Sequence, residues 1–578
     1  MNDPERDAGC YVGTLVGEST SQEFRLAVAH ETIREQDIIA VDAELRPVGQ
    51  GETPEQIRVW AKVLRIERVN PLFPLEAGHE LAATRTNPLD TVLSLSREMV
   101  TAVCQVLGAE PLRGNAGGRL DHLRYPPRPA STAYRPSSTD IARIVLGELG
   151  EKSRRSLDLA TLSNRPEVDV VVDGHAVVTR HLAILAMTGA GKSWTARRLI
   201  EQLASRNYPI VIFDPHGDYT GLAEVPALRG RVRRYYAQFP IFEEDADTIL
   251  SFIESLGWKP ANTHVSLFGA LFAGATAFIG QSDEERRMRS AWLSSYLHQP
   301  DIARFGIKPD LYFLADFIQA VIEAGSREDS DALRQIIEWS GRKDLRINRQ
   351  TAGWLEGFPR NIRRAARRIR QMEELNRHAA QSGEPLPTDR SELVRYGCIS
   401  VISLAGYPDD FRAAIYSLIV ESIFSKRVSG EIELPVLLVL EEAHNFAPSR
   451  ASEPALQRAV TLTRQIAQEG RKFKVGLVII SQRPARLDET TLSQCNSYVI
   501  MRMVNPDDQS YVRRVIETLG ENEARMLPDL DVGEAILSGQ FINFPVLVKV
   551  KAPESKGERE EEDVFEELDA WLKRQPAL

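Results

Sequence analysis

Residues 186–193, AMTGAGKS, decide the fold class of this chain. The apolar run 182–187 predicts a buried strand, and the run 192–206 (KSWTARRLIEQLASR) predicts a helix because its apolar positions recur at helical spacing. A strand, a glycine-rich turn, Lys-Ser and a helix are typical of a P-loop, in which backbone N–H groups and a helix N-terminus surround phosphates. The pattern G-x-x-x-x-G-K-[ST] begins with glycine where this chain has Ala186, a position that only closes the turn. The alternative is a chance Gly-Lys-Ser turn, which the flanking strand and helix disfavour.

The residues of this loop are predicted to bind the phosphates of a nucleotide. Lys192 would contact the β- and γ-phosphates, and the Ser193 hydroxyl would ligate Mg²⁺. The predicted nucleotide-binding set in this stretch is Thr188, Gly189, Ala190, Gly191, Lys192, Ser193 and Trp194.

The composition describes a multidomain globular protein. A chain of 578 residues exceeds what one hydrophobic core supports and predicts about three domains. A net charge of -10 argues against a uniformly basic nucleic-acid binder but allows local basic patches. The four cysteines are scattered without a C-x-x-C pair, so we expect neither a disulfide framework nor a zinc site. The polar N-terminus is no signal peptide and no apolar run approaches the ~20 residues that span a bilayer, so we expect a cytoplasmic protein without membrane contact.

Five segments are predicted along the chain. Residues 1–165 form a small β-barrel, because short β-rich runs recur between Gly, Pro and Asn, with 113–138 as loops or a linker. Residues 166–240 form the first part of an α/β core and residues 391–550 its second part. Between them, residues 241–390 lose the strand signal and predict an insertion of amphipathic helices. The tail 551–578 ends in a predicted helix with apolar residues along one face.

Two acids follow the apolar run 435–440, PVLLVL, which is the Walker B arrangement. Glu441 would hold Mg²⁺ through water, and Glu442 would act as the general base that polarises the attacking water. The alternative is a pair of acids that caps a strand.

Three more candidates stand at the ends of predicted elements. Asp214 and His216 follow the strand 208–213, where polar residues face the ligand crevice of a parallel sheet, although they could also cap the strand-to-loop turn. Gln482 follows the strand 475–480 and could sense the γ-phosphate or orient water. Arg471 follows a predicted helix, 456–469, and is either an arginine finger donated to a neighbouring subunit or a surface arginine at a helix end.

A basic face is predicted in the helical insertion. Its arginines recur at helical spacing, and such a face contacts phosphates or, more often, is solvated or paired with acids. The five residues are Arg360, Arg363, Arg364, Arg367 and Arg368.

Taken together, the motifs resemble the HerA family of hexameric DNA-translocating ATPases, which are related to FtsK. The segments that carry the resemblance are RHLAILAMTGAGKSWT from Arg180, DPHGDY from Asp214, LEEAHNFAP from Leu440, EGRKFKVGLVIISQRP from Glu469, LSQCNSYVIMRMVNPDD from Leu492 and LPDLDVGEAI from Leu527. The resemblance implies a RecA-like α/β P-loop core with an N-terminal HAS β-barrel and a helical-bundle insertion.

The resemblance also implies a function. A homohexameric ring would use ATP and Mg²⁺ to move double-stranded DNA through its pore, together with a NurA-like nuclease in DNA end resection or another effector in anti-phage defence. The resemblance favours Arg471 as an arginine finger that acts on the ATP of a neighbouring subunit. It also makes Arg180 and Asp214 supporting candidates for the nucleotide site. A ring that serves mainly as an assembly and regulatory platform for a defence effector is the alternative, whereas a membrane-tethered FtsK-type pump is disfavoured by the lack of an apolar span.

Overall fold

The computed structural model describes residues 10–29, 32–45, 55–69, 99–112, 118–147, 154–236, 241–255, 257–280, 282–379 and 383–555, together with Phe565, Leu568 and Trp571. The chain divides into two compact units. The first unit comprises Met1–Val177, Ile184–Gln202 and Asn496–Pro553. The second unit comprises Val178–Ala183, Leu203–Cys495 and Glu554–Leu578.

The strands of the described residues are β1 (Cys10–Ser19), β2 (Glu23–Val28), β3 (Ile38–Leu45), β4 (Glu55–Val69), β5 (Met99–Pro111), β6 (Thr132–Arg135), β7 (Ser156–Leu162), β8 (Asp169–Asp173), β9 (Leu182–Leu185), β10 (Ile210–Asp214), β11 (Val232–Tyr236), β12 (Glu384–Pro385), β13 (Ile399–Ser403), β14 (Val436–Leu440), β15 (Val475–Ser481), β16 (Ser497–Met501), β17 (Glu534–Gly539) and β18 (Val546–Val550).

The α-helices of the described residues are α1 (Ser138–Leu146), α2 (Gly174–Arg180), α3 (Lys192–Ser205), α4 (Ala246–Ser255), α5 (Asn262–Phe278), α6 (Asp283–Leu297), α7 (Pro300–Phe305), α8 (Leu311–Ser326), α9 (Ser330–Ser340), α10 (Arg349–Trp354), α11 (Phe358–Ala379), α12 (Asp409–Ser429), α13 (Pro454–Phe473), α14 (Glu489–Ser493), α15 (Pro506–Val515) and α16 (Glu521–Met526).

A closed barrel stands at the start of the first unit, with the strand order β1-β2-β5-β4-β3-β6. Successive residues of a strand point to opposite faces, so every second residue points into the barrel interior, and these residues are mostly apolar. Among these buried residues are Val12, Phe24, Leu26, Val41 and Val59. Strand β6 lies within residues 113–138, which were predicted as loops; that prediction is wrong for Thr132–Arg135, because β6 closes the barrel between β1 and β3.

A buried polar network joins this barrel to α1. The Trp60 indole N–H donates to Glu110 Oε1 over 3.0 Å. The Arg143 guanidinium donates to both Glu110 oxygens over 2.7 Å each, the bidentate geometry that this fork favours. Burial alone would raise the pKa of Glu110, but the hydrogen bonds and charge of Arg143 outweigh it, so the pKa lies below the usual value. The carboxylate is therefore satisfied as an anion.

An antiparallel sheet completes the first unit. Its strands pair in the order β16-β17-β18-β7-β8. Strand β7 lies inside the predicted barrel segment 1–165, but Leu162 of β7 stands opposite Val548 of β18. Strand β7 therefore pairs with this sheet and not with the barrel, whose last strand ends at Arg135.

A parallel sheet forms the centre of the second unit, in the order β12-β11-β13-β10-β14-β15. Every residue of β10, β14 and β15 is buried, which explains their continuous Val, Ile and Leu runs. On this sheet the Tyr416 ring of α12 meets Phe213 edge-on at 5.1 Å, and the Tyr416 hydroxyl lies 2.8 Å from Thr463 Oγ1 of α13. Strand β12 pairs with β11, so the sheet resumes before the predicted end of the insertion at residue 390.

Helices α4–α11 lie between β11 and β12, where the sequence predicts a helical insertion. Aromatic rings fill their shared interior, as in the contact of Phe278 with Phe317 at 5.2 Å. Helix α5 was not predicted, because its sequence is apolar or small on every side and has no amphipathic stripe. The predicted fold class, a RecA-like α/β P-loop core with a barrel and a helical insertion, is confirmed.

Within the part of the chain that the structure describes, no helix is long and apolar enough to cross a membrane. The predicted tail helix lies outside the described residues, except for Phe565, Leu568 and Trp571, which are helical and exposed. The N-terminal stretch 1–9 and the linker residues 113–117 also lie outside them.

Candidate active site

The P-loop connects β9 to α3 as the sequence predicts. Ala186 is fully buried at the start of the turn, where its small side chain fits. Gly189 and Gly191 adopt φ values of 80° and 103°, which side chains with a Cβ rarely tolerate. A Cβ on Gly191 would also lie 3.2 Å from Met501 Cε. Both glycines are therefore required by the conformation of the turn.

Backbone hydrogen bonds from distant parts of the first unit hold this loop. The Met187 N–H donates to the carbonyl of Arg502 over 3.0 Å, and the Gly533 N–H donates to the carbonyl of Ala190 over 2.9 Å. Gly533 belongs to the LPDLDVGEAI segment, so that motif braces the P-loop. Sequence reasoning did not find this contact, because the two segments are far apart in the chain.

The first turn of α3 presents one exposed aromatic ring. Trp194 is 43% exposed, and its indole N–H donates to the Lys551 carbonyl over 3.2 Å. The Lys551 ammonium in turn lies 2.6 Å from carboxylate oxygens of Asp158 and Asp169. Thr188 and Gly189 are exposed at the tip of the loop, whereas Lys192 is buried.

The second unit gathers acids at one edge of its parallel sheet. Strand β14 lies between β10 and β15, so the carboxyl ends of the three strands are neighbours. Asp214 ends β10, Glu441 and Glu442 follow β14, and Gln482 follows β15. Glu441 and Glu442 are buried, and Gln482 is half-buried. The structure thus brings these four predicted residues to one edge.

Glu442 has a strained backbone. Its φ of 49° and ψ of 55° lie in the left-handed region, which costs a residue other than glycine about 1–3 kcal/mol. Its Oε2 atom lies 3.3 Å from Nδ1 of His444, in the 3₁₀ turn that Glu442 begins. Such strain is concentrated at functional sites, where the surrounding structure maintains it.

Tyr219 contacts Glu441, the first acid of the predicted Walker B pair. Its hydroxyl donates to Glu441 Oε2 over 2.5 Å, and both side chains are fully buried. Burial and the neighbouring Glu441 carboxylate raise the pKa of Tyr219 well above its usual value, so the hydroxyl stays protonated and available as a donor. Tyr219 belongs to the segment DPHGDY, but the sequence does not predict it as a site residue, because its partner is 222 residues away.

Asp214 uses its carboxylate within its own loop. It accepts hydrogen bonds from the backbone N–H groups of His216, Gly217, Asp218 and Tyr219, over 2.8–3.3 Å. Burial raises its pKa to about 6, against the opposing effect of these N–H groups. The side chain thus caps the strand-to-loop turn, which is the alternative that the sequence left open for Asp214 and His216.

Arg471 lies inside a helix rather than beyond its end. Helix α13 continues to Phe473 and closes at Lys474 with a φ of 59°, so the predicted end at Glu469 is wrong. The reason is Gly470, where a Cβ would lie 2.5 Å from the Val475 carbonyl oxygen; this glycine permits close packing and does not terminate the helix. Arg471 is exposed in the last turn. Arg180 occupies the last turn of α2 and is half-buried.

Comparison with known proteins agrees with these motifs. The family model described as the central domain of helicase HerA matches residues 157–423. A probable helicase of Methanocaldococcus jannaschii is 26% identical over 93% of this chain and 95% of its own length. The DNA double-strand break repair helicase HerA of Pyrococcus furiosus is also 26% identical, over 78% of each chain.

These matches support a HerA-family P-loop ATPase. Among solved structures, it is distantly similar to the plasmid coupling protein TrwB in complex with a non-hydrolysable ATP analogue. That similarity has a TM-score of 0.40 and 15% identity, covering 72% of this chain and 94% of TrwB.

The carboxylate of Glu441 in the second unit fits Mg²⁺. Mg²⁺ keeps several waters and binds one or two protein oxygens plus substrate phosphates, rather than a dedicated protein cage. Glu441 offers one buried carboxylate directly after β14. Among the described residues, no group of three or more His, Cys, Asp and Glu side chains could hold a metal by itself. This pattern suits a metal that arrives with a nucleotide.

The five arginines of the predicted basic face fall into two groups, of which one pairs with acids and the other is exposed. Arg363 lies 2.6 Å from Asp316, and Arg368 forms an ion pair with Asp410. Arg360, Arg364 and Arg367 are exposed. Their spacing of i, i+4 and i+7 places the three on one side of α11, a stripe that we call the exposed arginine stripe.

Proposed function

We propose that this chain hydrolyses ATP and uses the energy to move along double-stranded DNA as a homohexameric ring. The observation that carries the proposal is the P-loop, in which Gly189 and Gly191 have left-handed backbones and Lys192 opens α3. The buried Glu441-Glu442 pair supports it, as do the relatives named as helicases. A NurA-like nuclease or another effector is the proposed partner.

The proposed roles follow from the chemistry of each side chain. The backbone of residues 188–191 surrounds the phosphates, Lys192 contacts the β- and γ-phosphates, and Trp194 with Arg180 supports the nucleotide. Ser193 and, through water, Glu441 would hold Mg²⁺, which supplies charge neutralisation of the phosphate oxygens when bound.

The water that attacks the γ-phosphate is assigned to two residues of the second unit. Glu442 accepts the proton of this water as general base, and the Gln482 amide orients it. Asp214 acts indirectly, by shaping the loop that carries Tyr219.

Contact with DNA is proposed for the exposed arginine stripe. Arg360 and Arg367 are seven residues apart, which on an α-helix corresponds to about 10 Å, and guanidinium groups bind phosphate oxygens well. Arg363 and Arg368, in contrast, pair with acids of the same unit and are assigned to stability.

The experiment that tests the function measures ATP hydrolysis with and without linear duplex DNA. We expect strong stimulation by duplex DNA in the wild type and almost no hydrolysis in Lys192→Ala, which lacks the phosphate contact. Near-normal turnover in Lys192→Ala would contradict the P-loop assignment. Hydrolysis that depends on an added effector protein but not on DNA would favour the assembly platform instead.

A further inference from the structure

We infer that Tyr219 is a positioning residue that sets the orientation of Glu441 for Mg²⁺; the inference rests on the proposed hydrolysis of ATP. The contact that carries it is the hydrogen bond from the Tyr219 hydroxyl to Glu441 Oε2, 2.5 Å long and fully buried. A length of about 2.5–2.7 Å is typical of a hydroxyl that donates to an ionised carboxylate, the stronger class of hydrogen bond.

Glu441 needs such a restraint more than an aspartate would. A glutamate has one more side-chain torsion than an aspartate, and its last torsion is broad, so its carboxylate can rotate. The Tyr219 hydroxyl binds one carboxylate oxygen and thereby fixes the direction of the other. A metal-bound water would then meet the carboxylate in one orientation.

Tyr219 is itself held from its backbone. Its N–H donates to Asp214 Oδ2 over 3.3 Å, while Asp214 Oδ1 accepts from His216, Gly217 and Asp218. Asp214 ends β10, the parallel neighbour of β14, which Glu441 follows. The loop 214–219 therefore links the ends of two adjacent strands, because its last residue, Tyr219, hydrogen-bonds to Glu441 after β14. We call this link the cross-brace.

The chemical consequence concerns Mg²⁺ more than ATP. Residues that orient a metal ligand change metal affinity or activity by about 10–100-fold when they are removed. The residues proposed to contact the phosphates are those of the P-loop, and Tyr219 is not among them. Loss of its hydroxyl should therefore weaken the response to Mg²⁺ and leave nucleotide binding without Mg²⁺ unchanged.

Tyr219→Phe tests the inference, because it removes only the hydroxyl. The matched control is Tyr416→Phe, another fully buried tyrosine of the second unit, whose hydroxyl lies 2.8 Å from Thr463 Oγ1. A fluorescent ATP analogue is titrated in EDTA and then at rising Mg²⁺, and thermal unfolding is recorded for each variant.

We expect Tyr219→Phe to bind the analogue normally in EDTA but to need about 10–100-fold more Mg²⁺ for the same enhancement of binding. High Mg²⁺ should restore part of its kcat. Tyr416→Phe should lower Tm about as much as Tyr219→Phe does, but its response to Mg²⁺ should equal that of the wild type. If Tyr219→Phe folds and responds to Mg²⁺ like the wild type, the inference is overturned. The proposed function still stands in that case, provided that the wild-type protein hydrolyses ATP. Absence of Mg²⁺-dependent binding and hydrolysis in the wild type contradicts the proposed function itself.

A second variant covers the case in which Tyr219→Phe does not fold. Asp214→Asn keeps Oδ1 for three N–H groups but replaces the oxygen that accepts from Tyr219, without touching Glu441. A shift of the Mg²⁺ titration in the same direction supports the cross-brace. An unchanged titration in this variant overturns it.

Discussion

Two regions of this molecule bury carboxylates and stabilise them in opposite ways. In the barrel, Glu110 faces the Arg143 guanidinium, and its pKa lies below the usual value. At the edge of the parallel sheet, Asp214 faces backbone N–H groups and Glu441 faces a phenol. There burial dominates, and the pKa of Asp214 rises to about 6.

The difference separates an acid that stabilises the fold from acids that are proposed to act in ATP hydrolysis. The barrel carboxylate receives a full positive charge from its own chain, so its negative charge is matched when the protein folds. The acids of the sheet edge receive hydrogen bonds from backbone N–H groups and a phenol, which carry no full positive charge, and we propose that Mg²⁺ supplies that charge at Glu441. The following predictions break or sharpen this comparison, from the largest expected effect to the smallest.

Arg471 and Arg143 are the two arginines to compare. Arg143 is committed to Glu110, whereas Arg471 is exposed in the last turn of α13 and proposed to reach the ATP of a neighbouring subunit. Arginine fingers contribute about 10³–10⁵ in rate, so Arg471→Ala should assemble and bind ATP but hydrolyse little.

Mixing subunits tests the action of Arg471 in trans. Arg471→Ala and Glu442→Gln subunits are each nearly inactive, but a mixed ring contains interfaces with an intact Glu442 and an intact Arg471. ATP hydrolysis should therefore partly return on mixing. If labelled subunits exchange and no activity returns, Arg471 does not act in trans.

Glu442→Gln should remove the general base and preserve the shape of the side chain. We expect kcat to fall by about 10²–10⁴-fold, while ATP binding and folding are retained. Steady-state hydrolysis, nucleotide binding and thermal unfolding measure the three properties. Loss of ATP binding in this variant, with full turnover in Glu441→Gln, would show that the roles of the two acids are reversed.

Glu110→Gln should have the opposite effect to Glu442→Gln. It should lower the stability of the fold and leave the ATP hydrolysis of the folded protein unchanged. The hydrogen bonds to Arg143 are charge-assisted, so the free energy of unfolding at pH 7 should fall by about 1.5–3 kcal/mol. Because the pKa of Glu110 is lowered on folding, its contribution is present above the unfolded pKa and is lost in acid. Urea unfolding measures it, with Glu167→Gln as the control, since the ion pair of the exposed Glu167 with the half-buried Arg165 is expected to contribute about 0–1 kcal/mol. Equal effects of the two variants would contradict the structural role of Glu110.

Asp214→Asn should flatten the pH dependence of stability. A carboxyl whose pKa rises from 3.8 to about 6 on folding favours the folded state below pH 4, and this advantage is lost as the pH rises through 6. Relative to the wild type, Asp214→Asn should thus gain on the order of 1–3 kcal/mol between pH 4 and pH 7, at about 1.4 kcal/mol per pKa unit. Thermal unfolding across this range measures the difference, and parallel curves would refute the prediction.

The arginines of α11 give the smallest effect. The triple variant Arg360→Gln, Arg364→Gln and Arg367→Gln should reduce the slope of log affinity against log salt for duplex DNA by about 2–3, or about one for each phosphate contact. The double variant Arg363→Gln and Arg368→Gln is the matched control and should keep the slope and lower stability. The same slope in all three proteins would exclude the exposed arginine stripe from DNA binding.

The sequence predicted the parts of the site that depend on local order. The strand, turn and helix around Lys192 and the two acids after β14 are read from adjacent residues, and the fold class follows from them. The contacts of Tyr219 with Glu441 and of Gly533 with Ala190 join segments hundreds of residues apart, which no local pattern encodes. Helix α13 shows a further limit, because Gly470 marks close packing and not a helix end.

The bracing of the P-loop has a consequence for synthesis on the ribosome. Residues 186–193 are translated roughly 300 residues before Arg502 and Gly533, whose backbones hold the loop. At about 5–20 residues per second, the loop waits on the order of tens of seconds for these partners. A nascent or truncated chain that ends before Arg502 therefore lacks both bonds, and we expect it to bind ATP only after Gly533 has emerged.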